Sequence, residues 1–334
     1  MSRDESGVLL ERFADYYLGA PEIEQIVIRP FNTLRTAWTS LLRGEVDMVT
    51  DVAPDAVEFI QNDDVQVISF ERRYQFLIGF NAARPQLASP AVRRALNAAV
   101  NREALIANVL QGEGEPATGP LWPKHWAYDS SIQPYTFDPQ FARSQLDAAG
   151  FPDGLRPATE TRPPARIRLT SIVPEGFALL ERVALEVQKQ LYDVGVDMEF
   201  QVVPGEEYGA RIWEGRFDAV LVDMISGPSF ARPYIFWRSA KESQGLNTFG
   251  YENPEAERLF QILRTSLNEA AVRSATHRLQ LALLEDPPAL FLAWNTRARA
   301  VTRRFGVVAE PGRDPLFTIW QWTENAGSQA VSLP

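Results

Sequence analysis

Two periods run through the hydrophobic positions of this chain. Residues 23–31, IEQIVIRPF, alternate β-branched and polar side chains and predict a strand. Leu34, Trp38, Leu41 and Leu42 recur at helical spacing, and Gly44 marks where that helix stops. VDMVTDV (46–52) reads as a short buried strand, followed by a helix over 56–61. VQVISF (65–70) and YQFLIGFN (74–81) predict two more strands. In the second, a period of two sends Phe76, Ile78 and Phe80 to one face and Leu77 and Gly79 to the other.

Helix signals dominate from 89 to 150. Ser89 is a candidate N-cap with Pro90 in the first turn, Asn101 a second cap, and Gly112 a stop. Asp138 caps a third helix that ends at Gly150. Residues 152–165, PDGLRPATETRPPA, hold four prolines and read as a linker or exposed loop. RIRLTSIV (166–173), a long amphipathic helix to Gly195, and VDMEFQVV (196–203) then form a strand–helix–strand unit. Its length implies a parallel pair with right-handed crossover. Leu180, Val183, Ala184, Val187 and Leu191 share that helix's apolar face. Another helix (206–215) and a buried strand, FDAVLVDMI (217–225), follow. The last third is helical over about 253–285 and closes with two strand-like runs, ALFLAWN and RARAVT.

After FDAVLVDMI comes GPSFARPYIFW (227–237), a rigid turn rich in aromatics. In open α/β sheets ligands sit beyond the carboxyl ends of strands, which is where this turn begins. Two readings of its residues stay open. Tyr234, Phe236 and Trp237 either pack a helix starting after Pro233 or wall a cleft. Arg232 either pairs across the fold or anchors a ligand carboxylate or amide. Trp122, Trp126 and Tyr128 lie in a loop and either plug it onto the body or line a site.

Composition narrows the chemistry. With 334 residues, 45% of them hydrophobic, the chain can bury more than one core. Its net charge of −10 and lack of basic clusters speak against nucleic acid. No apolar run approaches a membrane span, and MSRDESGVLL lacks signal-peptide design. The absence of cysteine removes disulfides, zinc thiolates and thiol nucleophiles. Two histidines, His125 and His277, far apart in sequence, make a poor metal set. There is no G-x-S-x-G elbow, and GEGEP lacks the lysine and hydroxyl of a phosphate loop. No catalytic residue, metal or cofactor is expected.

Several stretches resemble one family. LLERFADYYLGAPEIEQIVIRPF, LLRGEVDMV, LIGFN followed by PAVRRALNAAVNREALIANVLQGEGEPATGP, YTFDPQFARSQLDAAGF, GRFDAVLVDMI and YENPEAERL resemble family 5 of the bacterial extracytoplasmic solute-binding proteins. These are receptors of peptide, nickel and opine ABC importers. The resemblance implies an α/β, two-lobed fold of the periplasmic-binding-protein type (type II, cluster C), with the N-terminal part of lobe one missing. Residues 1–84 would belong to lobe one, 85–288 to lobe two, and 289–334 would return to lobe one. Segments 23–31 and 289–302 are then expected in connected sheets, and Ile26, Ile28, Phe76, Ile78 and Phe80 on an uncovered apolar surface.

The implied function is capture, not chemistry. A peptide or other small polar solute would be held between the lobes and delivered to ABC permease subunits at the membrane. Location would be periplasmic by resemblance, although the chain shows no signal peptide. The alternatives are a truncated, non-binding remnant, or an enzyme or regulator reusing the lobe. Ser226, Gly227, Ser229 and Arg232 would face the ligand, with Trp237 or Trp122 as apolar wall. Peptide receptors of the family place an aspartate in this loop for the ligand's α-ammonium group. Aligned on Pro233, this chain has Ser229 there, and its nearest upstream acid is Asp223. That departure tells against an oligopeptide, and Arg232 would suit a carboxylate.

Overall fold

The computed structural model describes residues 2–4, 7–52, 56–160, 162–225, 236–243 and 247–325. The chain divides into two compact units, one of 1–72 with 296–334 and one of 73–295. The expected boundaries, 84/85 and 288/289, lie some way from this division, which runs through two long strands. Strand segments 76–80 and 289–293 pack into the second unit's core and so belong to it.

In the first unit, β1 (Ser2–Asp4), β2 (Gly7–Glu11) and β3 (Gln25–Ile28) form an antiparallel three-stranded sheet. Gly7, at φ +145°, lies so close to the Ile28 carbonyl that a Cβ would meet the oxygen at 2.2 Å. Only glycine fits there. Helix α1 (Leu34–Leu42) is capped by the Thr33 side chain, which accepts from Thr36 N–H, and it ends at Gly44, φ +71°. Next come β4 (Met48–Val52), α2 (Val57–Ile60) and the start of β5 (Val65–Phe80). β5 is one continuous strand where two were expected. Among the described residues β3 pairs with β2 alone, whereas β4 pairs with the far half of β10 (Ala289–Thr302), Val49 opposite Ala300. The expectation that 23–31 and 289–302 lie in connected sheets therefore fails. GVLLE, only fourteen residues upstream of β3, supplies it with a nearer partner.

The second unit is a mixed sheet between two helical layers. Its strand order is β10-β5-β9-β7-β8, and β6 (Gly114–Pro116) also pairs with β10. The expected strand–helix–strand unit is present as β7 (Ile167–Pro174), α6 (Ala178–Tyr192) and β8 (Val196–Val203), paired in parallel throughout. β9 (Ala219–Ile225) runs parallel to β7 and antiparallel to β5. Phe76, Ile78 and Phe80 face α3 (Pro90–Ala98), α4 (Arg102–Asn108), α5 (Pro139–Ala148) and α6. Leu77 faces the other layer, built from α7 (Gly205–Trp213), α9 (Pro254–Thr265) and α10 (Glu269–Glu285), and the short α8 (Ala240–Ser243) lies between α7 and α9 in the chain. The period-two reading of β5 holds. The expectation that Phe76, Ile78 and Phe80 are uncovered does not, because all three are core residues of the second unit. Ile28 is exposed and Ile26 half-buried.

Helix starts follow the predicted caps. Asn101 accepts from Ala104 N–H and Asp138 from Phe141 N–H. Ser89 precedes α3 but makes no side-chain cap bond. Residues 152–165 form a loop fastened by an isolated bridge between Arg156 and Ala165.

Candidate ligand site

Asp223 stands near the carboxyl end of β9, opposite Phe76 of β5. It is half-buried, and its Oδ1 accepts a hydrogen bond from Asn295 Nδ2 of β10 at 3.0 Å. On the neighbouring register position, Gln75 opposes Met224 and is almost fully buried. Gln75 Oε1, Asn295 Oδ1, Trp294 Nε1 and Trp237 Nε1 are all buried without a hydrogen-bond partner. Leaving a desolvated polar atom unmatched costs about 1–3 kcal/mol. Gln75, Trp294 and Trp237 lie on the sheet face of Leu77 and the second core, whereas Asp223, opposite Phe76, faces the other layer with Asn295. Asp223 beside Asn295 places a carboxylate next to a side-chain amide, a pair that can meet a ligand's donor and acceptor groups.

Of the other expected site residues, Ser226, Gly227, Ser229 and Arg232 lie outside the described residues. Trp237 is 1% exposed and sits in the second core. Its ring lies 4.9 Å from that of Phe249 and 6.4 Å from that of Phe291. Its body is core packing, and only the indole N–H remains without a partner. Trp122 is half-buried against the same core and keeps partial exposure as a candidate wall. The rest of its loop is tied down. Arg273 of α10 donates to the Trp126 carbonyl at 2.7 Å and lies over the Trp126 ring, and Gln280 bridges the backbone of Asp129. Tyr128 OH lies 2.5 Å from Thr118 Oγ1. The plugging role thus applies to Trp126 and Tyr128.

The motif that most sharply marked the chain, PAVRRALNAAVNREALI, builds a buried clamp and no part of the site. Arg93 donates from Nε to the Pro287 carbonyl at 2.9 Å and pairs with Asp286. Asn97 donates to the Ala289 carbonyl at 3.0 Å. Arg102 donates to the Phe291 carbonyl at 2.7 Å and to Asn97 Oδ1 at 2.8 Å. Burial lowers the Arg102 pKa to about 10, partly offset by Tyr135. Together these three hold the start of β10, and hence Trp294 and Asn295, against α3 and α4.

Two surface pockets, of about 230 and 250 Å³, open at the other end of the sheet, around the amino ends of β7 and β8. Two of their arginines are engaged. Arg166 pairs with Asp147 and donates to the Phe151 carbonyl at 3.1 Å, and Arg143 donates to the Asp193 carbonyl at 2.9 Å. Among the described residues no group of three or more His, Asp or Glu side chains is placed to hold a metal ion, and no helix is long and apolar enough to cross a membrane. His125 is half-buried and its pKa is lowered by desolvation, and His277 sits 3.0 Å from Asp129.

A model of the bacterial extracellular solute-binding proteins, family 5 (middle region), matches residues 2–245. This chain belongs to that family. The oligopeptide-binding protein AppA of Bacillus subtilis (strain 168) is 24% identical over 322 residues, which are 94% of this chain and 59% of that protein. The glutathione-binding protein GsiB of Salmonella choleraesuis is 33% identical over 211 residues, 63% of this chain and 38% of that protein. The chain therefore spans well under two thirds of these curated relatives. Among solved structures, B. subtilis AppA in complex with a nonapeptide superposes with a TM-score of 0.80 at 21% identity, covering 97% of this chain and 65% of that one. NikZ of Campylobacter jejuni in complex with Ni(L-His) gives 0.82 at 20% identity, covering 97% and 67%. The fold is that of the type II periplasmic binding proteins. Members of the family are extracytoplasmic receptors of ABC importers, not enzymes.

Proposed function

We propose that this chain forms the ligand-capturing part of an importer receptor and takes a small peptide or another polar organic solute at the carboxyl end of β9. The observation that carries the reading is the Asp223–Asn295 pair near the carboxyl end of β9, with Asn295 Oδ1 buried and still unmatched. Asp223 gives the site a carboxylate, and Asn295 fixes its orientation. Ser226, Gly227, Ser229 and Arg232, next along the chain, would add a close backbone approach, a hydroxyl and a cationic fork. Trp122 would supply the apolar wall. Family membership supports capture by closure of two lobes and delivery to ABC permease subunits at the membrane. Ligands named for the relatives, oligopeptides, glutathione and Ni(L-His), are the compounds to try first.

The test is calorimetric titration of the chain with those compounds, before and after Asp223→Asn and Arg232→Ala. One class should bind and raise the melting temperature. Arg232→Ala should weaken it about tenfold to a hundredfold, since a charge-assisted contact contributes about 1.5–3 kcal/mol. The ligand-free melting temperature should barely move. A ligand held equally tightly by the parent and both variants would end the proposal.

A further inference from the structure

Both of the chain's histidines meet one irregular segment of the second unit, residues 122–132, which contains no helix or strand of its own. His125 is the joint of two tight turns there. Its N–H donates to the Trp122 carbonyl at 3.0 Å, and its carbonyl accepts from Tyr128 N–H at 2.9 Å. Its ring closes the second turn, because Nδ1 accepts from Ala127 N–H at 3.2 Å. Only the neutral ring, with its proton on Nε2, can accept there. A second proton, on Nδ1, sets donor against donor. Ala127 is 4% exposed, so its N–H has little water to turn to. The His125 ring also lies 5.6 Å from that of Trp126, which Arg273 of α10 already covers at 4.9 Å. Charging His125 puts a second cation beside the same indole.

The far half of the segment is held differently. Arg273, His277 and Gln280 recur at i, i+4 and i+7 and so share one face of α10. Gln280 exchanges two bonds with the Asp129 backbone, at 2.9 and 3.1 Å, and neither titrates. His277 Nδ1 lies 3.0 Å from Asp129 Oδ2. Protonation makes that contact charge-assisted, the reverse of its effect at His125. Hydrogen bonds from Ser131, with a smaller part from His277, hold the Asp129 carboxyl below its usual range, so it is still ionised at the acid end of the histidine range. Two further charges belong to the surroundings. Glu115 of β6 acts on Tyr128, and Lys124 adjoins His125 in the chain.

We infer that residues 122–128 form an acid-released latch: protonation of His125 Nδ1 breaks the turn to Tyr128 and frees Trp122 and Tyr128 from the second core, while the Asp129–Gln280 contact stays closed as the hinge. Desolvation lowers the His125 pKa, which agrees with a docked ring that is neutral. A folded-state pKa below the ordinary value of about 6.5 means that the latch contributes fully above that pH and is lost as pH falls through the folded value. The latch needs no ligand. Its consequence for Trp122 as a ligand wall rests on the function proposed above.

The experiment measures amide protection factors by segment on the whole chain without ligand, at about pH 7.5 and about pH 5. In the parent, protection within 122–128 should fall about fivefold or more at the lower pH, while 129–132 and Ile167–Pro174 keep theirs. His125→Asn places a non-titrating oxygen where Nδ1 accepts, in the same two-residue turn, and should hold 122–128 protected at both pH values. His125→Ala should leave it poorly protected at both. His277→Asn should leave the transition in 122–128 in place. Protection of Ile167–Pro174 in each variant reports that the second unit still folds. Unchanged protection of 122–128 in the parent would refute the latch. So would a His125→Asn protein that loses protection at the lower pH as the parent does, or a transition that disappears in His277→Asn.

Discussion

Arg102 is a buried cation, and among the described residues no carboxylate pairs with it. Backbone carbonyls and the Asn97 amide oxygen meet its guanidinium. Replacing it by alanine strands the Phe291 carbonyl and Asn97 Oδ1 inside the core. Arg102→Ala should therefore destabilise the chain by about 3 kcal/mol or more, read as a lower urea midpoint with an unchanged slope. Tyr251 carries a different message. Burial, then the nearby Asp286 charge, raises its phenol pKa, and its OH donates to the Asp286 carbonyl at 2.8 Å. Desolvation raises Tyr208 in the same direction. A folded-state pKa above the unfolded value of about 10 means that the unfolded chain loses the proton first. The contribution is full below about pH 10 and is lost as pH rises beyond it. Tyr251→Phe should cost about 1 kcal/mol at neutral pH and nothing near pH 11, where the unfolded tyrosine gains about 1.4 kcal/mol by ionising. Chemical denaturation of both proteins at the two pH values checks this. An unchanging difference would mean that the phenol ionises in the folded chain.

α6 shows how one element can be both legible and informative. Its apolar spacing named the buried face, and Val183, Val187 and Leu191 are indeed fully covered between β7, β8 and the neighbouring helices. Leu185, on the same helix, faces outward at 63% exposure. Leu191→Ala should cost about 2–5 kcal/mol through lost transfer energy and the cavity left behind, and Leu185→Ala less than about 0.5 kcal/mol. Equal costs would mean that the helix is rotated from the orientation described. β5 and β10 teach the opposite lesson. Each was read as two short runs because a polar stretch interrupts its apolar pattern. That stretch, Glu71 in β5 and Arg297 and Arg299 in β10, is where each strand passes from one unit to the other. Arg299 there is held by Asp314 at 2.6 Å, and its side chain also donates to the Thr50 carbonyl at 2.7 Å.

At the scale of the whole chain, the two units differ in what they bury. The second has two large clusters on the two faces of one sheet, and the first a small cluster around Leu41, Ile60 and Ala300. Amide exchange should rank accordingly, with Ile167–Pro174 and Val196–Val203 slowest and Gly7–Glu11 with Gln25–Ile28 fastest, by at least about a hundredfold. Uniform protection across both sheets would show that the first unit is as well packed as the second.

By itself, the sequence determined the local facts. Caps at Asn101 and Asp138, the parallel β7-α6-β8 unit, the two faces of β5 and the family likeness all follow from neighbours a few positions apart, where side-chain period and turn chemistry decide. Partner choice over long separations needed the tertiary structure. Nothing in IEQIVIRPF says that it pairs with GVLLE and not with the strand 260 residues on, because strand propensity carries no address. Nor does the spacing of Arg93, Asn97 and Arg102 say that they grip Pro287, Ala289 and Phe291, since a helix surface reads the same whether it faces water or a distant strand. Asp223 was visible as a lone acid. Its meeting with Asn295, 72 positions away, exists only because β5 lies between their two strands in the folded sheet.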